Sequence, residues 1–250
     1  MESPDAAHAR ILQNAPDHIE GTRAFQATVG RSGEWNLLSS RDAVLATTLE
    51  ARELTKSFSG PPLFSNLSFS ASSGLVAVSG RNGTGKTTLL KILARLVRPG
   101  GGSVRVLQES REIAGDARRR AVGWAGPDLA FYDDFTAEEN LLFFRRAAGL
   151  AADDAAIRTR LARVGLEAVA GRRVGAFSTG MKQRLRLAFA LLCDAPVLLL
   201  DEPSAGLDEA GRERLAEVIA ERRRVGPVFL ASNDARDFAA PDQIIALGDR

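Results

Sequence analysis

Cysteine occurs once in the 250 residues, as Cys193, which excludes an internal disulfide. No histidine or cluster of cations stands beside it to lower its pKa, so the expectation is inert packing in an apolar segment rather than a reactive thiol. Histidine is nearly as scarce, with only His8 and His18, both close to the N-terminus. A run of about 18 apolar residues is missing, and so is a basic N-terminal segment followed by an apolar one. Neither a membrane span nor a secretory signal is therefore indicated, and the chain is expected in the cytosol unless a partner holds it at a membrane. A dominant charge is also lacking: the net charge of +2 is too slight to argue for a nucleic-acid partner. Lysine is rare, limited to Lys56, Lys86, Lys91 and Lys182, so nearly all positive charge is arginine. No internal repeat of solenoid length is visible.

What is present is 45% hydrophobic and 26% charged, the profile of a soluble globular protein with a sizeable core. Residues 1–48 show no sustained period and scattered Gly, Pro and Ser, and are expected to be a poorly structured N-terminal extension. From Leu49 the pattern changes. "LEARELTKSF" and "NLSFSASSG" alternate apolar and polar residues as half-buried strands do, whereas "LVAVSG" (75–80) and "VLLLDEP" (197–203) are continuous apolar runs, as in strands covered on both faces. "VFLAS" and "IIAL" add two short strands. Helical stretches are expected at 86–96, 136–148, 153–164, 180–192 and 209–224. The alternation indicates an α/β domain with a largely parallel sheet. "RPGGGS" (98–103) reads as a turn, and the runs Arg118–Arg120 and Arg222–Arg224 read as solvated helix faces.

"GRNGTGKTT", Gly80 to Thr88, fits G-x-x-x-x-G-K-[ST] between an apolar strand and a helical stretch, the context that separates a phosphate loop from a chance match. Gly80, Arg81, Asn82, Gly83, Thr84, Gly85, Lys86, Thr87 and Thr88 are the candidate residues. The glycines let successive N–H groups turn inward, the following helix adds its positive end, Lys86 neutralises β- and γ-phosphates, and the Thr87 hydroxyl ligates Mg²⁺. Asp201 closes a buried strand, where a carboxylate is costly unless it faces a site, and is expected to hold Mg²⁺ through water. Glu202 is positioned as general base towards the attacking water. The acidic pair could alternatively cap the next helix.

"FSTGMKQRL" (177–185) resembles the signature of ABC-type ATPases, and "SAGLD" (204–208) resembles their D-loop. Four motifs in order and at family spacing identify residues 49–250 as resembling an ABC transporter nucleotide-binding domain. The resemblance implies a P-loop NTPase fold with an ABC-type core, a helical subdomain at about 127–190 and an N-terminal antiparallel β subdomain. It implies ATP and Mg²⁺ as ligands, and a head-to-tail dimer in which Ser178, Thr179, Gly180 and Asp208 of one copy complete the ATP site of another. It further implies a separate transmembrane permease as the route to the membrane. Phe58 matches the aromatic that stacks on adenine, although the sequence leaves a core role equally open. Phe131 and Tyr132 fall where a permease segment would dock, or else plug the helical subdomain, and Trp124 reads as core.

Two positions depart from the family pattern. The Q-loop glutamine falls on Pro127, which has neither amide side chain nor N–H, and the H-loop histidine falls on Asn233, which hydrogen-bonds but carries no proton or charge. With no histidine after His18, no shift of alignment recovers one. Slow hydrolysis is the expectation, with Lys86 and Glu202 as catalytic residues. The compact domain closing near Gly248 and the glutamine-free "GWAGPDLAFYDDFTAEENL" resemble most the ATPases of haem exporters in cytochrome c maturation, and next other ABC-2-type exporters. A nucleotide-gated regulatory module with little or no turnover is the alternative.

Overall fold

The computed structural model describes residues 28–29, 35–36, 46–238 and 240–248. Met1–Val44 and Leu45–Arg250 are separate units. Of the first, strands β1 (Thr28–Val29) and β2 (Trp35–Asn36) pair antiparallel. The rest of the 1–48 extension up to Val44, with His8 and His18, lies outside the described residues.

The second unit holds two sheets. β3 (Thr47–Lys56), β4 (Phe64–Ala71), β6 (Gly101–Gln108) and β7 (Arg111–Glu112) form an antiparallel sheet in the order β4-β3-β6-β7. The supposed turn at 98–103 is in part this strand. Gly102 has φ +81° beside the irregular stretch of β3, where a Cβ would lie 2.3 Å from the Arg52 carbonyl oxygen. Only glycine permits that approach, so its role is pairing.

The other sheet is parallel, in the order β11-β5-β10-β9-β8, from β5 (Leu75–Ser79), β8 (Val122–Ala125), β9 (Val197–Asp201), β10 (Val228–Ala231) and β11 (Gln243–Ala246). β9 and β10 are buried along their whole length, as helices on both faces demand. Ala231 is in register with both Val78 and Asp201. The phosphate loop after β5, the acidic pair that closes β9 and Asn233 after β10 therefore meet at one edge of the sheet, the carboxyl end where open α/β sheets bind ligands.

Six α-helices occur among the described residues: α1 (Lys86–Leu93), α2 (Gly115–Arg120), α3 (Ala137–Ala147), α4 (Asp154–Arg163), α5 (Thr179–Ala190) and α6 (Glu209–Val225). α3 starts at a capping box in which Thr136 and Glu139 satisfy each other's backbone N–H. The arginine runs are not uniformly solvated. Arg118 is 2% exposed, with Nη2 donating to the Leu93 carbonyl at the end of α1, and burial pushes its pKa down to about 10. Arg222 is buried likewise and donates to the Ala195 carbonyl. Each long side chain supplies a donor to a main-chain oxygen from which water is excluded, a demand set by a neighbouring element that its own helix period cannot reveal.

Candidate functional site

Gly80 to Thr88 bridges the end of β5 and the start of α1. Gly85 precedes α1 with φ +102°, and a Cβ there would press on Leu63 and Phe64 at 3.2–3.4 Å, so the turn into the helix requires glycine. Thr84 steadies the loop by donating Oγ1 to the Arg81 carbonyl at 2.9 Å. Lys86 is buried, with all three ammonium protons engaged: Gly80 O at 2.8 Å, Arg81 O at 3.3 Å and Asn233 Oδ1 at 3.0 Å. Its charge is thus held in the loop by neutral acceptors, from which an anion can draw it.

Thr87 donates Oγ1 to Asp201 Oδ1 at 3.2 Å. Asp201 is 1% exposed and its Oδ2 has no hydrogen-bond partner. Burial raises its pKa, against the Thr87 hydrogen bond that lowers it. An orphaned buried carboxylate oxygen next to a hydroxyl at a phosphate loop fits a divalent cation bound with the phosphates. Asp208, not the 201–202 pair, caps α6 by accepting from Gly211 N–H at 2.9 Å, so the capping alternative for Asp201 and Glu202 falls.

Glu202 has φ +47°, in the left-handed region. Its N–H donates to the Ala231 carbonyl at 2.8 Å. Its carboxylate accepts from Asn233 twice, Nδ2 to Oε1 at 2.7 Å and the backbone N–H to Oε2 at 3.3 Å. Asn233 therefore bridges the two candidate catalytic groups, its carbonyl oxygen to Lys86 and its amide nitrogen to Glu202. The two neighbours fix the amide's orientation, since an ammonium only donates and a carboxylate only accepts. Asn82, Gly83, Gly85, Lys86, Thr87, Thr88, Glu202 and Asn233, with Leu63, line one cavity of about 290 Å³.

The other predicted residues are not brought into that cavity. Ser178 caps α5, accepting from Met181 N–H at 3.2 Å, and Thr179 beside it is exposed. A Cβ on Gly180 would lie 2.7 Å from the Gly206 carbonyl oxygen, so signature and D-loop pack together. Phe58 is 66% exposed with Lys56 Nζ 4.7 Å from its ring centre, which removes the core alternative.

Several residues with a place in this arrangement were not singled out by sequence reasoning. Asp237 accepts from Ser204 Oγ at 2.6 Å and Ser232 Oγ at 2.5 Å, tying the D-loop to the segment that carries Asn233. Gln183, buried on α5, donates to the carbonyls of Glu202 and Pro203. No local pattern announces either contact. Pro127 is exposed, and Trp124 is buried as expected. Of the aromatic pair, Phe131 packs inward, edge-on to Phe144 and Phe189, while Tyr132, 49% exposed, stacks on Phe144 and meets Phe135 tilted and Phe143 edge-on at the surface. Buried Asn140 pins that turn by accepting from Tyr132 N–H and donating to its carbonyl.

Residues 64–205 match the family model described as ABC transporter. The chain is 36% identical over 203 residues to an uncharacterised ABC transporter ATP-binding protein, YxlF, of Bacillus subtilis, covering 80% of this chain and 67% of that one. It is 35% identical over 185 residues to the cytochrome c biogenesis ATP-binding export protein CcmA of Brucella abortus, covering 74% and 84%. A solved structure of the ATP-binding subunit of an ABC transporter superposes with a TM-score of 0.69 at 25% identity, covering 80% of this chain and 85% of the other.

Proposed function

The chain belongs to the ABC transporter ATP-binding family, and on that premise we propose that it binds and hydrolyses Mg-ATP as a head-to-tail dimer, driving export through a separate membrane subunit. The observation that carries this reading is the convergence of Lys86, Glu202 and Asn233 on one cavity at the phosphate loop.

ATP phosphates entering the loop offer Lys86 charged oxygens in place of the carbonyls of Gly80 and Arg81, and a charge-assisted bond wins that exchange. Thr87 and Asp201 are the residues to hold Mg²⁺, which when bound supplies charge neutralisation at the β- and γ-oxygens. Glu202 orients the attacking water and accepts its proton at a carboxylate oxygen, and Asn233 keeps that carboxylate in place without adding a positive charge. Oxyanion stabilisation is correspondingly weaker than with a cation at position 233, so turnover is slow. Ser178 caps α5 and Thr179 and Gly180 open it, a helix start that can bind an anion and that does not line the cavity at the chain's own loop. A second copy, with Asp208 at its D-loop, uses them to cover the γ-phosphate. Exposed Phe58 is free to stack on adenine.

The membrane subunit docks on the patch of Tyr132, Phe135 and Phe143 and the adjoining groove of about 620 Å³ beside Leu96, Trp124 and Phe144. No described helix is long and apolar enough to cross a membrane. The permease is the proposed attachment, at the cytoplasmic face. Residues 127–190 then act as the helical subdomain, and the catalytic unit takes in Thr47 and Thr48, the first residues of β3. Likeness to the Brucella export protein supports export, with haem for cytochrome c biogenesis as the proposed cargo.

Single-turnover hydrolysis by the assembled complex tests the chemistry. Glu202→Gln is expected to abolish it while MgATP still binds and drives dimerisation; a fast rate surviving that change removes Glu202 from the mechanism. Pro127, together with the engagement of Lys86 by Asn233, favours a second reading, a nucleotide-gated module that dimerises without turnover. Phosphate release by wild-type protein, with and without its permease, separates the two.

A further inference from the structure

Pro127 has no side chain with which to reach the nucleotide, yet its turn is gripped from both sides. On one side Asp128 pairs with Lys91, on the phosphate-loop helix α1, at 2.9 Å. On the other, Arg186 of α5 donates Nη2 to the Pro127 carbonyl and Nε to the Leu129 carbonyl, both at 3.1 Å. The third arm of the same guanidinium, Nη1, donates to Gln183 Oε1 at 2.9 Å, one turn earlier on α5. Gln183 in turn donates Nε2 to the carbonyls of Glu202 at 3.0 Å and Pro203 at 3.1 Å.

We propose that Gln183 and Arg186 form a positioning relay that ties the backbone of the 127–129 turn to the backbone of Glu202, supplying through α5 the link to the hydrolytic centre that the side chain at 127 cannot. The proposal rests on the ATPase reading above and adds the device that sets its general base.

Three features support it. Gln183 is 6% exposed, so water cannot replace its partners, and its orientation is unique: a flipped amide would set nitrogen against a guanidinium and oxygen against two carbonyls. The Glu202 backbone sits in the left-handed region; its carbonyl accepts from Gln183 at 3.0 Å and, at the longer 3.2 Å, from the Ala205 N–H, while its N–H donates to Ala231. The carboxylate is set from two ends, by Asn233 at its oxygens and by the backbone that Gln183 helps to hold, so the amide of Gln183 contributes to where the proton acceptor points. Finally, α5 begins at Ser178, the edge assigned to the second copy, so a tilt of α5 on dimerisation or permease docking reaches Glu202 through Gln183 and the 127–129 turn through Arg186.

The test uses the full chain with MgATP and reads kcat, MgATP affinity and melting temperature separately. Gln183→Leu is expected to lower kcat roughly tenfold to a hundredfold, with affinity held within about twofold, because misplacing a reacting group costs on that scale. Arg186→Met, on the outer side of the helix, is expected to lower kcat about three- to tenfold, and Arg186→Lys to recover part of it. The double variant should be no slower than Gln183→Leu alone, since serial links do not add. Additive losses, an unchanged kcat, or a loss that tracks melting temperature or affinity would overturn the relay. Should Gln183→Leu not fold, Arg186→Met and Arg186→Lys decide by the same criteria. A wild type that binds MgATP but never turns it over sinks the ATPase reading and the relay together; a wild type that turns over beside indifferent variants sinks only the relay.

Discussion

Replacing Asn233 by alanine removes two bonds to charged groups at once, Nδ2 to Glu202 and Lys86 to Oδ1. Hydrogen bonds to charged partners contribute about 1.5–3 kcal/mol each, and because Asn233 is exposed the lower end applies. The two losses act on different quantities. Without Nδ2, Glu202 samples rotamers that do not face the water, and about 1.5 kcal/mol of positioning is close to tenfold in kcat. Without Oδ1, Lys86 has one fewer neutral acceptor to leave when phosphate arrives, so MgATP affinity should stay level or tighten by a few-fold. Asn233→Ala is therefore expected to lower kcat about tenfold while KM falls or holds. Asn233→His, which can donate to Glu202 and become charged, is expected to raise kcat above wild type, with the gain largest near and below pH 6.5. Steady-state phosphate release over a range of ATP concentrations, with Kd from a fluorescent ATP analogue, separates the parameters. A kcat for Asn233→Ala within twofold of wild type would refute the bridge as a positioning device. A weakened affinity with unchanged kcat would reverse the roles assigned to its two ends.

Phe58→Ala should weaken ATP binding several-fold while leaving melting temperature unchanged, because the ring is exposed and supports no core; equal affinity in wild type and variant would remove it from the adenine site. Gly180→Val should obstruct the Gly206 carbonyl and shift the D-loop, lowering ATP-driven dimerisation measured by size exclusion, with nucleotide binding by the monomer retained. The Asp242 carboxyl accepts from Leu75 N–H at 2.6 Å and pairs with Arg223, and these hold its pKa below the ordinary 3.8. Its contribution to stability is thus present above about pH 4 and lost as pH falls through the lowered value, so Asp242→Asn should lower the melting temperature at pH 7 and approach wild type near pH 2. Burial pushes the Cys193 thiol pKa up, and its alkylation by iodoacetamide at pH 8 should be slower than that of a free cysteine; a faster reaction would contradict the packing described.

The site was legible wherever local chemistry and chain order suffice. A glycine-rich turn between a buried strand and a helix has few other uses, and an acid ending "VLLLDE" stands out because its strand has no other polar residue. Asn233 could be found by spacing, but its grip on Lys86 and Glu202 arises from the parallel register that sets Ala231 beside Val78 and Asp201. Contacts between distant main-chain carbonyls and long side chains were not legible. Arg118 and Arg222 look like solvated charge by their own helices' period, yet each meets a carbonyl of another element. Gln183 and Arg186 are hidden for the same reason, since nothing near "MKQRLR" mentions Pro127 or Glu202. Phe131 and Tyr132, adjacent in sequence, divide between interior and surface because a turn pinned by Asn140 sends them opposite ways.

The positive φ of Glu202 sets function against endurance at a single residue. An L-amino acid with a long side chain occupies that conformation at a cost of about 1–2 kcal/mol, which glycine largely escapes. Relief of that strain in Glu202→Gly is offset by loss of the two bonds from Asn233, so a heat-resistance screen would pass a subunit of near wild-type stability that lacks its proposed general base.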